Sequence, residues 1–252
     1  MYLQSDLLRV VSSKVDKDGT PHIELLHGTA FLIGDSGLFL TARHVLEAAQ
    51  TSKASGCEPV IFAVTEAGKR TTSPILEYEL APNGQDIGIG RTAYRCDSMY
   101  RIDTRQHTVW REVLTAGYPE DAFVRDEVGI KTPIRAFKGI VQRLIRPGDL
   151  HLAPRSDGFE LSFSPSPGMS GAPLCVPGRD GHLSVIGVCV GAFRSEQIED
   201  EYTEVKSDGS RYFERRVRIV QFGLAEALFP LLDWRPSVLN GATLGATLGQ
   251  SY

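Results

Sequence analysis

The sequence has few cysteines and no segment that suits a membrane or a secretion signal. Its four cysteines in 252 residues show no Cys-x-x-Cys spacing, which is too sparse for a disulfide scaffold, so we expect free thiols. The first residues lack a charged stretch followed by about 7–15 apolar residues, and no window reaches about 18 apolar residues. These absences predict a cytoplasmic protein that does not bind membranes.

A basic surface and metal-ligand spacing are also missing. The chain has 27 Lys and Arg against 31 Asp and Glu, a net charge of −4, so no global positive field attracts nucleic acid. The six histidines form no His-Glu-x-x-His group and no closely spaced pair with cysteine. We therefore expect no nucleic-acid partner, no metal site and no cofactor.

What the sequence has instead is a globular composition with many turns. Hydrophobic residues make up 42% and charged residues 23%, which excludes disorder and coiled coil for most of the chain. The 25 Gly and 14 Pro favour short strands joined by turns. Short apolar or β-branched stretches recur at roughly 8–12 residues, with about six in each half of the chain, and this predicts an all-β fold.

Three segments stand out when they are taken together. They are Thr41-Ala42-Arg43-His44 after a strand, Asp86-Ile87-Gly88-Ile89 at a strand start, and Gly168-Met169-Ser170-Gly171-Ala172-Pro173-Leu174 in a loop. Each alone is ordinary, since such residues are common in turns and loops. In this order and separation they resemble the chymotrypsin/trypsin-like serine endopeptidase family, over about residues 22–233.

The resemblance implies two six-stranded antiparallel Greek-key β-barrels. We expect an N-terminal barrel over residues 1–105 with His44 and Asp86, and a C-terminal barrel over residues 106–222 with Ser170.

Residues outside the barrels are assigned from local patterns. An apolar stripe at helical spacing predicts a short C-terminal helix over residues 223–234, and a small tandem repeat predicts a flexible tail over residues 235–252. The polar stretch 91–110 has little periodic signal and is interpreted as the connection between the two halves.

The family's chemistry needs these residue types. A serine hydroxyl is a poor nucleophile, so Ser170 requires a neutral imidazole, His44, to accept its proton. A carboxylate, Asp86, would orient that imidazole and stabilise its charged form. The backbone N–H groups of Gly168 and Ser170 would form the oxyanion hole.

The resemblance also assigns the substrate cleft. The base of the primary pocket falls on Ser164, which favours a non-basic or medium-sized apolar side chain, and Val190, Gly191 and Ala192 border the cleft. Val190 stands where the family usually has a hydroxyl that supports the triad aspartate. Either the register is off by one residue, or Asp86 takes its second hydrogen bond elsewhere.

Two further features have two interpretations each. The acidic segment 195–208 follows the presumed cleft strand and is either a solvated loop or a surface that favours a basic substrate. Cys175 and Cys189 lie on predicted strands that flank the loop of Ser170, residues 168–174, which we call the nucleophile loop. They are either small buried apolar residues or a redox switch. In both cases the first interpretation is the commoner one.

Residue 169 separates this chain from the secreted digestive members. Those enzymes have an aspartate before the nucleophile that pairs with a new N-terminus, whereas Met169 cannot form that ion pair. We therefore expect activity without N-terminal cleavage, as in non-secreted bacterial and high-temperature-requirement-type members.

The resulting hypothesis is a serine endopeptidase with a protein or peptide substrate, acting through an acyl-enzyme on Ser170. Because a broad cytoplasmic protease would be harmful, we expect restricted specificity or control by a regulatory protein partner, as in a bacterial stress or defence effector. The alternative is a catalytically silent trypsin-like fold that serves as a protein-binding module.

Overall fold

Two circuits of hydrogen-bonded strands make up most of the computed structural model, which describes residues 3–18, 21–126, 129–131, 133–149, 156–178 and 182–248. The first circuit is a closed six-stranded barrel in the order β1-β2-β3-β6-β5-β4. Its strands are Leu7–Val15 (β1), Pro21–Ile33 (β2), Leu38–Thr41 (β3), Glu58–Val64 (β4), Arg70–Leu80 (β5) and Gly88–Thr92 (β6). Strands β2 and β3 form a hairpin around residues 34–37, and Gly34 and Gly37 adopt the positive φ that its turn requires.

The remaining strands belong mainly to a second sheet. They are Tyr100–Ile102 (β7), Glu112–Gly117 (β8), Val124–Asp126 (β9), Gly129–Lys131 (β10), Arg135–Ile145 (β11), Gly158–Leu161 (β12), Pro173–Pro177 (β13), Leu183–Val205 (β14) and Arg211–Ala227 (β15). The sheet order is β13-β8-β11-β12-β15-β14-β7, and β13 also pairs with β14, so six of these strands close a second circuit. The predicted fold of two six-stranded units is therefore confirmed.

Strand β7 lies in the stretch interpreted as a plain connection. It runs parallel to the start of β14, with Leu183 opposite Tyr100. Tyr100 is 1% exposed, which explains why a stretch with a weak periodic signal still forms a strand.

Helices are few and short among the described residues. They are Leu3–Asp6 (α1), Arg43–Thr51 (α2) and Leu244–Leu248 (α3), with 3-10 turns at Ser52–Ser55, Pro82–Gly84, Glu120–Ala122, Phe229–Leu231 and Ser237–Leu239. In the part of the chain that the structure covers, no helix has the length and apolar character needed to cross a bilayer.

The hydrophobic core joins the two circuits. One buried cluster contains Phe31 and Ile89 of the first barrel together with Tyr118 and Val188 from the second half. Contact between the halves is therefore part of the core, and residues at this junction have fixed positions.

The predicted C-terminal helix over residues 223–234 is wrong. Strand β15 continues to Ala227, pairing with β12 on one side and β14 on the other, and only a 3-10 turn at Phe229–Leu231 follows. The spacing of the leucines suited a helix, but pairing with strands on both sides outweighs that local preference.

The expectation of a flexible tail over residues 235–252 is also incorrect as far as residue 248. Val238 and Leu244 are 1% and 0% exposed and belong to the cluster shared by the two halves. The N–H of Leu244 donates to the carbonyl of Trp234 at 2.8 Å. Residues 249–252 lie outside the described residues.

The acidic segment 195–208 is not a loop. Its residues 195–205 form the outer part of β14 and pair with β15 in a two-stranded ribbon, residues 193–222, which we call the arm, and residues 206–208 lie in the turn between the two strands. Asp200 lies opposite Arg216 and Glu201 opposite Arg215. Opposite charges on facing strands favour this pairing, which a reading of the acidic segment alone could not reveal.

Candidate active site

His44 lies in the first turn of α2, at the end of β3. Ala42 before it is extended, with φ −76° and ψ 146°, and Val45 and Leu46 after it are buried against the first barrel. Because one face of α2 is anchored in this way, the His44 side chain points away from the core and is 45% exposed.

Asp86 holds the imidazole of His44. Its carboxylate oxygens lie 2.8 and 3.0 Å from Nδ1, and Oδ1 also accepts the backbone N–H of His44 at 3.0 Å. With Nδ1 donating to the carboxylate, Nε2 is left as a proton acceptor. The second hydrogen bond of Asp86 therefore comes from the backbone N–H of His44, and Val190, which has no hydroxyl, is not needed for it.

Arg43 keeps these two segments together. Its Nε donates to the carbonyl of Gln85 at 3.0 Å, and its Nη2 donates to the carbonyl of Ala81. The loop that ends in Asp86 is thus tied to the start of α2. Sequence reasoning missed this role, since an arginine beside a histidine has no distinctive pattern.

The nucleophile loop bends sharply on both sides of Ser170. Gly168 and Gly171 have φ of +86° and +89°, and the N–H of Gly171 donates to the carbonyl of Cys189 at 2.7 Å. Among the described residues, the N–H groups of Gly168 and Ser170 donate to no other group. The loop therefore presents two free backbone donors beside the Ser170 hydroxyl, as an oxyanion hole requires.

Thr29 joins the nucleophile loop to the first barrel, and sequence reasoning missed it. Its N–H donates to the carbonyl of Ser170 at 2.8 Å, and its hydroxyl donates to the carbonyl of Gly168 at 3.0 Å. The same hydroxyl accepts the N–H of Tyr118 at 3.0 Å. The only available signal was the glycine before it, because a glycine within a strand indicates close approach of another backbone.

Two glycines bring the histidine and serine segments close together. A Cβ on Gly28 would lie 2.7 Å from the carbonyl oxygen of Ser170 and 2.6 Å from Val45 Cγ2 in α2. A Cβ on Gly171 would lie 1.9 Å from the carbonyl oxygen of Thr29. No other residue fits at either position without displacing the site.

A cleft of about 510 Å³ opens beside Ser170. Its lining residues are Ser164, Pro165, Ser166, Pro167, Ser170, Gly191, Ala192, Phe193, Arg194 and Gln221. Three of the four predicted substrate-binding residues are therefore found together with Ser170. Val190 does not line the cleft, because its side chain is 6% exposed and packs in a core cluster with Leu224.

The two cysteines that flank the loop are buried. Cys175 and Cys189 are 1% and 0% exposed, and all four cysteines are free. Burial raises the pKa of the Cys189 thiol to about 12 and that of Cys175 well above its ordinary value. Such thiols stay protonated and unreactive, which favours the interpretation of small apolar core residues.

A family model described as "Trypsin-like peptidase domain" matches residues 28–188, a range that includes His44, Asp86 and Ser170. No curated protein sequence matches the chain significantly.

Several solved structures share the fold. An HtrA-type AlgW protease variant with decapeptide has a TM-score of 0.55 and 16% identity, with 93% of this chain and 64% of that chain covered. Deg5 has a TM-score of 0.51 and 16% identity, covering 75% of this chain and 80% of that one. The apo MamO protease domain from Magnetospirillum magneticum has a TM-score of 0.51 and 14% identity, covering 90% of this chain and 93% of that one.

At these identities the structural matches concern the fold, and this chain spans only 64% of the AlgW chain. The family model covers more than half of the sequence and contains all three site segments. The protein therefore belongs to the trypsin-like peptidase family.

Proposed function

We propose that this protein is a serine endopeptidase whose triad is Ser170, His44 and Asp86. The observation that carries the proposal is the hydrogen-bonded His44–Asp86 pair beside a glycine-bounded serine loop with two free N–H donors. Family membership gives independent support for peptidase chemistry.

Each step follows from these groups. His44 Nε2 accepts the Ser170 Oγ proton while Oγ bonds to the substrate carbonyl carbon, and Asp86 stabilises the resulting imidazolium. The carbonyl oxygen becomes an anion held by the N–H groups of Gly168 and Ser170. His44 then gives its proton to the leaving amine as the C–N bond breaks, and water hydrolyses the acyl-enzyme with His44 again as base.

The environment of Met169 supports activity without N-terminal processing. Its side chain is 0% exposed, and its N–H donates to the carbonyl of Ser166 at 3.1 Å. Burial of an apolar side chain therefore anchors the loop at the position where an ion pair with a new N-terminus serves the digestive enzymes.

The cleft supports specificity for a residue other than Lys or Arg before the cleaved bond. Ser164 lines it as expected, and Arg194 is the one charged side chain among the described lining residues. A cation at this position repels basic side chains and favours neutral or acidic ones.

Restricted specificity or control by a regulatory protein partner, a stress or defence role and a cytoplasmic location stay predictions. The prediction that proteolysis is restricted has a simple test. The isolated protein is expected to leave casein largely intact, and rapid general digestion of casein would contradict this expectation.

The test of the proposed function is labelling with a fluorophosphonate, followed by peptide mass spectrometry. We expect one adduct, on Ser170 Oγ, because only an activated hydroxyl displaces the fluoride. Ser170→Ala should abolish it, whereas the matched control Ser166→Ala, in the same cleft, should retain it. A folded protein that forms no adduct would contradict the proposal and favour the binding-module alternative.

A further inference from the structure

Strand β14 has a free edge that begins beside the nucleophile. On one side it pairs with β15 from Gly187 to Val205. On the other side β14 pairs with β13 as far as Val188, and the backbone of Cys189 forms hydrogen bonds with Gly171 and Ala172, which follow Ser170. From Val190 to Val205, no strand among the described residues pairs with this second side, which leaves the edge open to an added strand. Within this stretch the backbone N–H of Glu201 donates to Asp200 Oδ1 at 2.9 Å.

The free edge is continuous with the cleft. Gly191, Ala192, Phe193 and Arg194 lie at its start and line the cleft together with Ser170. A peptide with its scissile carbonyl at Ser170, running antiparallel to β14, would extend its residues N-terminal to the cleaved bond along the arm. One strand would thus serve both the cleft and a remote surface.

The two strands of the arm have opposite charges. The part of β14 from Ser195 to Val205 contains no cation and five carboxylates, which are Glu196, Glu199, Asp200, Glu201 and Glu204. The facing part of β15 contains four arginines and one acid, which are Arg211, Arg215, Arg216, Arg218 and Glu214. A strand added to the β14 edge would therefore meet negative charge.

Three of these carboxylates have no cation opposite. Glu196 lies opposite Ile219, Glu204 lies opposite Tyr212, and Glu199 falls at a register shift with no residue opposite. These three glutamates are exposed. Their charge is left for a basic partner, whereas Asp200 and Glu201 face arginines across the ribbon.

A second copy of the chain fits this edge less well than a peptide does. Pairing of β14 with β14 would oppose carboxylates, and pairing of β15 with β15 would oppose arginines, so symmetric strand pairing is repulsive. Pairing of β14 with β15 between copies is attractive, but β15 contributes only Gln221 to the described lining of the cleft, whereas β14 contributes four residues. Continuity with the cleft therefore favours the substrate itself.

We infer that the β14 edge of the arm binds a basic, extended segment of the substrate by strand addition. Glu196 lies six residues beyond Val190 and Glu204 fourteen, so the segment lies roughly six to fourteen residues N-terminal to the cleaved bond at one residue per residue of the strand. The inference rests on the proposed function and extends it to a two-part substrate, basic upstream and non-basic at the cleaved bond.

The first test is cleavage of a proteome-derived peptide library by the full chain. Wild type is expected to prefer Lys and Arg at positions six to fourteen before the bond. The variant E196Q/E199Q/E204Q should lose this preference. The control E58Q/E66Q/E112Q removes the same charge from exposed positions outside the arm and should keep it.

Rates give the size of the effect. Three substrates are made from the best library peptide. The short form has fewer than six residues N-terminal to the cleaved bond. The two long forms extend it on the N-terminal side with Lys-Thr repeats or with Glu-Thr repeats. For the triple arm variant we expect kcat/KM to fall about tenfold on the Lys-Thr form and to stay unchanged on the short form. For wild type, roughly 0.5 M salt should remove most of the difference in kcat/KM between the Lys-Thr and Glu-Thr forms, because it screens exposed charges.

A second measurement separates strand addition from simple charge attraction. Ser170→Ala is mixed with a Lys-Thr repeat about 16 residues long, enough to span the edge at about 3.3 Å per residue. Amide hydrogen exchange in residues 193–205 should slow, because an added strand protects the free edge. Tight binding without such protection would overturn strand addition.

The other outcomes are distinct. Equal library preferences for wild type and the triple arm variant, with Ser170 labelled by fluorophosphonate, would overturn the inference and leave the proposed function intact. A mass that rises with concentration and falls in E196Q/E199Q/E204Q, without any preference for basic peptides, would overturn it in favour of self-association. An absence of both cleavage and labelling would overturn the proposed function.

Discussion

Strand β14 is continuous, but one of its halves is buried and the other is exposed to solvent. Every residue from Ser184 to Val190 is buried, whereas every residue beyond Gln197 is exposed. The first half is held by packing between the circuits and ends beside Ser170. Among the described residues, only β15 pairs with the second half. The comparison teaches that regular strand geometry has two origins here, a shared core near the site and cross-strand pairs in the arm.

The largest contrast is expected between two glycines of positive φ. Gly171→Ala should lower kcat/KM by at least about 10²-fold, because its Cβ would overlap the Thr29 carbonyl and displace Ser170. Gly209 in the turn of the arm has φ +81° and nothing within 4 Å of an added Cβ. Gly209→Ala should strain the turn of the arm locally by about 1–2 kcal/mol and leave both the global free energy of unfolding and the rate on short peptides unchanged.

Peptidase assays and chemical denaturation of both variants measure this contrast. Equal activity of Gly171→Ala and wild type would show that the tight approach to Thr29 does not position the nucleophile.

A threonine pair tests the junction in the same way. Thr29→Val keeps the shape but leaves the Gly168 carbonyl and the Tyr118 N–H without their partner, so we expect a loss of about 2 kcal/mol and a lower kcat. KM should change less than kcat, since the defect lies in the loop that we propose to hold the oxyanion. Thr29→Ser should restore the rate, while Thr203→Val in the arm should change neither quantity.

Denaturation curves and steady-state kinetics for the three threonine variants test this expectation. A KM effect with kcat unchanged would assign Thr29 to binding rather than to positioning.

Two valines on β14 compare the halves with identical chemistry. Val188 is 0% exposed and Val205 is 63% exposed. Val188→Ala should cost about 2 kcal/mol, from the lost transfer of two methyl groups plus a cavity. Val205→Ala should stay within about 0.5 kcal/mol. Urea midpoints of the two variants measure these losses of stability. Similar losses for the two variants would mean that the side chain of Val205 is packed in solution as Val188 is.

The smallest effect on stability is expected from shortening the arm. Gln197 and Arg218 lie opposite each other, so residues 198–217 can be replaced by Asn-Gly, which suits a two-residue hairpin turn. Stability and short-peptide cleavage should be unchanged within about 0.5 kcal/mol and about twofold. Calorimetry and kinetics on one preparation test both. A large drop in melting temperature would show that the arm is part of the folding unit.

Sequence reasoning predicted the three site segments and the paired circuits but misplaced the elements around them. The helix over residues 223–234 and the loop over residues 195–208 were both read from local patterns. Each is in fact a strand whose partners lie elsewhere in the chain. Val190 was assigned to the cleft because of its place in the motif, whereas its side chain turns into the core.

The sequence by itself determined the chemical groups of the site and the turns that hold them. The types and order of His44, Asp86 and Ser170, and the glycines around the serine, are local properties that a motif can carry. Only the tertiary structure decided that Thr29 holds the nucleophile loop and that β14 leaves the cleft with a free acidic edge. The physical reason is that backbone pairing joins residues far apart in the chain, and short-range patterns do not record which strand comes to lie beside another.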